Sequence, residues 1–243
     1  MNGADLLATH QWSFASKLHY AEHPLFTVNS EIVFHTWIIM LLLALALSSV
    51  NFLLHHTVLG RFILIRLVTF FIDLTHQSLG TFVFDHCVFA ASLFIFIALC
   101  NTAPLIPWLE EPTRDLNTTL ALGIISFIYV QLAAIQARGF GSYLKDFFKP
   151  FFVMFPLNVV GKLSSIVSIS FRLFGNIFGG AIITKLYFTF ISGSIILETL
   201  GLLSGLNFVM IGFFTLFEGL LQAFVFAMLT LTYISLGTQE GGH

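Results

Sequence analysis

The stretch SSIVSISFRLFGNIFGG, residues 164–180, determines the architecture of this chain. It is apolar enough to lie in a membrane, yet it carries Arg172 near its middle. A guanidinium at that depth costs at least ~2.5 kcal/mol on insertion scales, and it stays charged because an arginine side chain is not deprotonated in proteins. No acidic residue lies three or four positions from Arg172. We therefore expect its counter-charge to come from another helix or another chain. The alternative is a buried ion pair within this chain.

The same stretch predicts a helix with one polar face. Its polar residues recur at every fourth position: Ser164, Ser168, Arg172 and Asn176. Residues at this spacing lie above one another on a helix. Gly175, Gly179 and Gly180 remove bulk beside that face, so another helix could approach closely. Small residues alone indicate ordinary helix packing, but together with the arginine they favour a functional interface.

The composition is that of a membrane protein. Of the 243 residues, 57% are hydrophobic and 9% are charged, against about 25% charged in soluble domains. The apolar runs are long and continuous, which favours helices over a barrel of short alternating strands. With a net charge of −2 and no basic patch, nucleic acid is not an expected partner. The nine histidines do not predict a metal site, because His55 and His56 are adjacent and diverge on a helix.

The predicted fold is an all-α integral membrane protein with five membrane-crossing helices. Residues 1–30 form an extramembrane N-terminal arm, without the features of a cleaved signal, and residues 31–243 form a single membrane domain. The expected spans are 32–54, 87–106, 116–137, 151–191 and 195–236, with an interfacial amphipathic helix at 61–84. The last two segments exceed a perpendicular crossing, so they must tilt strongly or break.

The distribution of basic residues predicts the orientation. Arg61 and Arg66 follow the first span, and Arg138, Lys145 and Lys149 follow the third. The loop after the second span is mainly acidic. Because basic loops stay on the cytoplasmic side, we expect the N-terminus outside and the C-terminus inside.

A second ionisable residue lies in the last span. In FFTLFEGLLQAFVF, residues 213–226, Thr215, Glu218 and Gln222 are spaced three and four apart, on one helical face. An intramembrane glutamate is costly and marks a candidate proton path. The alternatives are that Glu218 pairs structurally with Arg172 or Lys185, and that Gln222 makes only a hydrogen bond between helices.

Several motifs resemble subunit a of the F-type ATP synthases. They are FRLFGN at 171–176, LLQAFVFAMLTLTYIS at 220–235, EEPTRDLNTTLAL at 110–122 and RGFGSYLKDFFKP at 138–150. The resemblance covers about residues 85–243, and the arginine motif with the downstream Gln-Ala-Phe is highly specific to the family.

The resemblance implies a role for particular residues. It makes Arg172 the essential stator arginine and places polar proton-path residues at Ser168, Asn176, Gln222, Asp115 and Asn117. The family often has an acidic residue or histidine nine positions after the arginine and seven before the glutamine. Here Ala181 and Thr215 occupy those positions. Glu218 is the candidate for the proton-relay role that the acidic or histidine residues have in the family.

The resemblance also implies the assembly. The partners would be the ring of c subunits, the peripheral-stalk b subunits and the lipid bilayer, with no cofactor and no ATP site on this chain. The expected location is the bacterial inner membrane, with an organelle inner membrane or thylakoid as the alternative; H⁺ and Na⁺ both remain open as the ion.

Two other functions fit parts of the pattern. A secondary transporter could use an intramembrane arginine to bind an anion, but it would predict internal repeats, and none is visible in the sequence. A purely structural membrane subunit could use Arg172 to tie helices together. Substituting Arg172 separates these possibilities, because assembly rather than coupling would fail in a structural subunit.

Overall fold

The computed structural model describes residues 11–13, 27–56, 58–106, 108–146 and 155–239. Most of the predicted N-terminal arm, and residues 151–154 of the predicted fourth span, lie outside these ranges. Two short strands, β1 (Gln11–Ser13) and β2 (Thr27–Asn29), pair antiparallel, with Trp12 opposite Val28. The sequence did not predict this small ribbon.

The rest of the described chain is helical, as predicted. The helices are α1 (Ser30–His56), α2 (Val58–Leu79), α3 (Phe84–Thr102), α4 (Leu116–Arg138), α5 (Phe140–Asp146), α6 (Phe155–Ile191), α7 (Ile195–Leu203), α8 (Leu206–Ile211) and α9 (Gly219–Gln239). Short 3₁₀ turns occupy Ala103–Leu105 and Pro112–Arg114, and a π-helical segment occupies Gly212–Glu218.

Five helical segments are long and apolar enough to cross a membrane. They are Ile32–Val50, Phe84–Leu105, Leu116–Arg138, Phe155–Ile191 and Leu206–Thr238. The predicted fold class, an all-α membrane protein with five crossing helices, is therefore confirmed.

The boundary between α2 and the second span differs from the sequence prediction. The predicted interfacial helix extended to residue 84, but α2 ends at Leu79. Gly80 follows with φ of 71°, and its N–H donates to the carbonyl of His76, which closes the last turn. The next helix begins at Phe84 rather than at 87. That α2 lies in the membrane interface stays a prediction.

The segment predicted as one span at 195–236 is divided. Helix α7 ends at Leu203, and Gly205 has φ of 71°, a left-handed conformation that favours glycine. The chain then re-enters a helix at Leu206. Of the two outcomes left open for an overlong segment, a break is found here, whereas α6 runs unbroken for 37 residues.

The packed core lies where α3, α4, α6 and α9 meet. One cluster joins all four helices and contains Leu93, Ile97, Ala98, Leu122, Ile169, Leu173, Ile177, Ala223 and Phe226. A second cluster joins α2 to α3, α4 and α9 and contains Phe71, Leu74, Cys87, Ala90, Val130, Ala133, Leu231 and Ile234. Helix α1 is peripheral, with Trp37 68% exposed. The core therefore fixes α6, which carries Arg172, and α9, which directly follows the π-helical segment that ends in Glu218.

Candidate functional site

The arginine of α6 points away from the core. Leu173 and Ile169 face inward and are buried, whereas Arg172, Ser168 and Ser164 are exposed. Gly175 extends this surface, and a methyl group added to it would meet no atom within 4 Å. We call these residues, Ser164, Ser168, Arg172 and Gly175, the Arg172 face. The face is an outer surface of this chain.

The guanidinium has no partner within the described part of the chain. Neither a hydrogen bond nor an ion pair joins Arg172 to any residue there. The alternative of an ion pair with Glu218 or another described acid is therefore not found. An arginine at membrane depth is costly unless its charge is compensated, and that its counter-charge comes from elsewhere stays a prediction.

One turn further along α6, the polar stripe turns inward. Asn176 is half-buried and its Nδ2 donates to Oε1 of Gln222 on α9 at 2.7 Å. Gln222 is 2% exposed. The structure thus brings these two predicted residues together as a buried amide pair linking the helices. The last member of the stripe therefore does not share the exposed face of Arg172.

Glu218 lies one turn beyond this amide pair. Its Oε2 is 3.6 Å from the position that a Cβ on Gly180 would occupy, an ordinary packing distance, whereas the Phe214 ring lies closer to that position, at 3.1 Å. Glu218 is half-buried, and no hydrogen bond or ion pair joins it to another described residue. Gly180 thus receives a side chain of the same molecule, unlike Gly175 and Gly179, which face open space.

The polar residues form a ladder that leads away from Arg172. The two helices run antiparallel, so that position 176 faces 222 and position 180 faces 218. At 1.5 Å of rise per residue, Asn176 lies about 6 Å and Gly180 about 12 Å along the axis from Arg172. The ladder ends at a cavity.

We call this space the Glu111 cavity. It has a volume of 320 Å³ and lies between α6, the loop before α4 and the π-helical segment. Its polar lining includes Asn101, Glu111, Arg114, Thr184, Lys185 and Thr215. Burial raises the pKa of Glu111, while Arg114 opposes that shift. Positive and negative groups therefore surround a space with room for several waters, since each needs only ~10–15 Å³.

A second space, which we call the Lys162 cavity, lies on the other side of Arg172 along α6. It has a volume of 230 Å³ and is lined by parts of α4, α6 and α9, among them Ser126, Gln131, Lys162 and Ser165. Lys162 lies over the ring of Tyr143, and the Tyr143 hydroxyl donates to Gln131. Burial raises the pKa of Tyr143, opposed by Arg138.

The two cavities use different stretches of α6. The Lys162 cavity touches residues 161–169 and the Glu111 cavity touches residues 177–188. Arg172 lies between these stretches, on the exposed side of the helix.

Comparison with known proteins identifies the family. The family model described as ATP synthase A chain matches residues 33–235. A protein of Moorella thermoacetica named ATP synthase subunit a is 36% identical over 207 residues, which cover 84% of this chain and 88% of that protein. The chain belongs to the ATP synthase A chain family. Proteins of the same name from Albidiferax ferrireducens (32% identical, 90% of each chain) and Acaryochloris marina (subunit a 2; 30% identical, 90% and 89%) are also similar.

Two predicted residues of this ATP synthase A chain family member lie apart from the Arg172 group. Asp115 is the N-cap of α4, and its Oδ1 accepts from the backbone N–H of Asn117 at 3.0 Å. Neither residue is among the described residues that line the two cavities. The structure gives Asp115 a helix-capping role, which stabilises the loop next to the Glu111 cavity.

Sequence reasoning missed a buried clamp in this family member. Nδ2 of Asn101 on α3 donates to the carbonyl of Gly219 at 2.9 Å, and its Oδ1 accepts from the Thr113 hydroxyl at 2.7 Å. Asn101 and Thr113 are at most 1% exposed. The clamp ties the loop that carries Glu111 to the turn that carries Glu218. An amide near the end of an apolar span was the signal that could have revealed it.

The π-helical segment was also missed. Thr215 and Glu218 were placed on one face by α-helical spacing, but both lie in the wider turns of Gly212–Glu218. Thr215 lines the Glu111 cavity, while the carboxylate of Glu218 lies beside Gly180, 3.6 Å from where its Cβ would be. Single π-helical turns occur often at functional sites. Among the residues searched, no group of three or more His, Cys, Asp or Glu is arranged to hold a metal.

Proposed function

We propose that this chain is the stator ion-channel subunit of an F-type ATP synthase, which couples proton flow to rotation of a c-ring and to ATP synthesis. The observation that carries the proposal is Arg172, a permanent cation without a partner in the described chain, exposed between two cavities on α6. Family membership supports it, because the relatives are named ATP synthase subunit a. This chain supplies the proton path rather than an ATP site.

The two cavities are the proposed half-channels. The Glu111 cavity meets the acidic loop after the second span, which the distribution of basic residues puts outside. The Lys162 cavity meets the ends of α4 and α9 near the basic loop that starts at Arg138, on the inside. Protons would enter through the Glu111 cavity and leave through the Lys162 cavity. Protons would pass from one half-channel to the other only while bound to a carboxylate of the rotating ring.

The polar ladder is the proposed last part of the entry path. From the Glu111 cavity a proton would reach Glu218 and the Asn176–Gln222 pair before transfer to a ring carboxylate. Glu218 has the chemistry for this duty, since a carboxyl can both accept and release a proton. Ser168 would line the exit side of the Arg172 face. Asp115 and Asn117 would act more remotely, by fixing the loop at the entry.

Arg172 is the proposed separator. Each ring subunit would carry one membrane carboxylate, which is neutral while it faces lipid. When that carboxylate reaches Arg172, the fixed positive charge would lower its pKa and promote proton release. The same charge would repel a proton moving directly between the half-channels. Each proton crossing 100 mV supplies about 2.3 kcal/mol, which is the driving force for rotation.

The arrangement in the membrane follows from helix length and charge. Helix α6 has 37 residues, or about 55 Å, whereas the hydrocarbon layer is ~30 Å thick. Its far end and α7 expose Phe190, Ile195, Ile196 and Leu203, which would face water if the helix stood upright. We therefore propose that α6 and the following segment tilt strongly. The N-terminal arm, residues 1–30, would lie outside and the C-terminus inside.

The proposed location is the bacterial inner membrane, with an organelle inner membrane or thylakoid as the alternative. The proposed neighbours are the c subunits at the Arg172 face and the b subunits of the peripheral stalk. Residues 31–243 would act as one membrane domain, with α2 in the interface.

The test is ATP-driven proton pumping by vesicles that contain the assembled complex. Arg172→Ala should abolish pumping, because the moving carboxylate loses its fixed counter-charge. Arg172→Lys should also pump poorly, since a single ammonium replaces a delocalised fork of donors. The matched control is Arg66→Ala, which removes another exposed arginine, on α2. Pumping retained by Arg172→Ala at the level of Arg66→Ala would refute the role.

A further inference from the structure

A carboxylate at the wall of the Glu111 cavity has no role in the pathway as described so far. Glu110 and Glu111 are adjacent and both line the cavity, yet Glu110 is exposed and Glu111 is half-buried. Arg114 and Lys185 line the same cavity and can stabilise an ionised carboxylate there. Glu111 is therefore a titratable group at the wall of a space that has room for several waters and has cations at its wall.

The backbone and the buried clamp hold Glu111 in place. Its carbonyl accepts from the N–H of Arg114 at 3.1 Å, which closes the 3₁₀ turn. Two residues after Glu111, the Thr113 hydroxyl bonds Asn101, which in turn bonds the carbonyl of Gly219 next to Glu218. Glu111 and Glu218 thus lie close in sequence to the two ends of one buried hydrogen-bonded bridge. The bridge limits how far the backbone at Glu111 can move from the backbone at Glu218.

The cavity provides a continuous route between them. Thr215 lines it at the π-helical segment that ends in Glu218. Gly180 also lines it, and Oε2 of Glu218 lies 3.6 Å from the position that a Cβ on Gly180 would occupy. The cavity therefore reaches from Glu111 to residues next to the carboxylate of Glu218.

We propose that Glu111 is the proton-collecting residue at the mouth of the entry half-channel, passing protons through the Glu111 cavity to Glu218. This rests on the proposed function of the chain. The carboxylate takes a proton from the outside solution, and the carboxylic acid gives it to water in the cavity, so that no other reactant is needed. Among the charged neighbours, Arg114 has the largest effect on its proton affinity and the adjacent Glu110 the smallest, while Lys185 faces the same cavity from α6.

Burial supports this assignment, since it raises the pKa of Glu111. A collector works best when its pKa lies closer to the pH of the solution that it samples. A carboxylate with the ordinary pKa of a glutamate is ionised at neutral pH and holds a proton too rarely to relay it efficiently.

The experiment compares Glu111→Gln with Glu110→Gln in the assembled complex in vesicles, following proton entry as the outside pH varies from about 6 to 8. A relay carboxyl contributes ~10²–10⁴-fold to a proton transfer. Water in the cavity can carry part of this proton transfer without the carboxyl group. We therefore expect Glu111→Gln to slow proton entry about tenfold at the high end of the pH range. The loss should shrink as the outside pH falls, because protons then arrive without a collector. Glu110→Gln should change the rate less than about twofold.

Three outcomes decide the matter. A rate in Glu111→Gln equal to that of Glu110→Gln, with pumping still lost in Arg172→Ala, would overturn the collector and leave the proposed function standing. A loss in Glu111→Gln that is the same at every pH, and is not restored by Glu111→Asp, would mark a structural defect and also overturn it. Retained pumping in Arg172→Ala would overturn both proposals together.

Discussion

Replacing Asn101 with leucine tests the bridge that links the outer loop to α9. The substitution keeps a side chain of similar size but removes the bonds to Thr113 and to the carbonyl of Gly219. A hydrogen bond between membrane helices contributes ~0.6–1.7 kcal/mol. The Thr113 hydroxyl, fully buried, would be left unpaired at a cost of ~1–3 kcal/mol. Because these terms overlap, we expect the local opening free energy to fall by about 2–3 kcal/mol.

Hydrogen exchange in the intact complex measures this change. The amides of Arg114 and Asp115 are hydrogen-bonded within the loop, and their exchange reports its opening. A loss of 2–3 kcal/mol corresponds to ~30–150-fold faster exchange. Thr113→Val should accelerate exchange less than Asn101→Leu does. The double variant should exchange more slowly than the sum of the two single effects predicts, because in the double variant no side-chain hydroxyl is left unpaired. Unchanged exchange in Asn101→Leu, or strictly additive effects, would refute the reasoning.

Three further predictions concern neighbouring sites. Gly180→Ala should destabilise the complex by about 1 kcal/mol or more, since the added methyl group would lie 3.1 Å from Phe214. Gly175→Ala should leave stability unchanged but slow ATP-driven rotation, since its methyl group would meet no atom of this chain within 4 Å. An equal loss of stability in the two variants, measured by thermal unfolding, would contradict this prediction. Glu218→Gln should slow proton pumping without reducing the amount of assembled complex, and full pumping would remove it from the path. Because the pKa of Glu111 is raised on folding, its contribution to stability is present below the unfolded pKa and is lost as pH rises through the folded pKa. The free energy of unfolding should therefore decrease with pH across that window in the natural protein. In Glu111→Gln this decrease should be absent when unfolding is measured over the same pH range.

The membrane fold could be predicted from the sequence because apolar length and charge decide it directly. Continuous apolar runs predicted five crossing helices, and the described residues contain five helices long and apolar enough to cross a membrane. Arg172 and Glu218 could also be found, since a charge inside an apolar run is costly wherever the helix faces.

What the sequence could not supply is the rotation of each helix and the partner of each polar group. Every-fourth-residue spacing placed Asn176 with Arg172, but packing against α9 turned Asn176 toward Gln222. The Asn101–Thr113 clamp joins groups whose pairing depends on how α3 meets the loop. The π-helical turns depend on packing as well, and they change which residues share a face with Glu218.

Cross-linking in the intact complex tests the central claim most directly. A cysteine at Ser168, one turn from Arg172 on the same face, would be paired with a cysteine beside the ring carboxylate. We expect a disulfide that blocks rotation and is reversed by reduction. Val167→Cys is the matched control, because Val167 is also exposed but lies about 140° around the helix from Arg172. Cross-linking at Val167 and not at Ser168 would contradict the account, because the Arg172 face would then point away from the rotor.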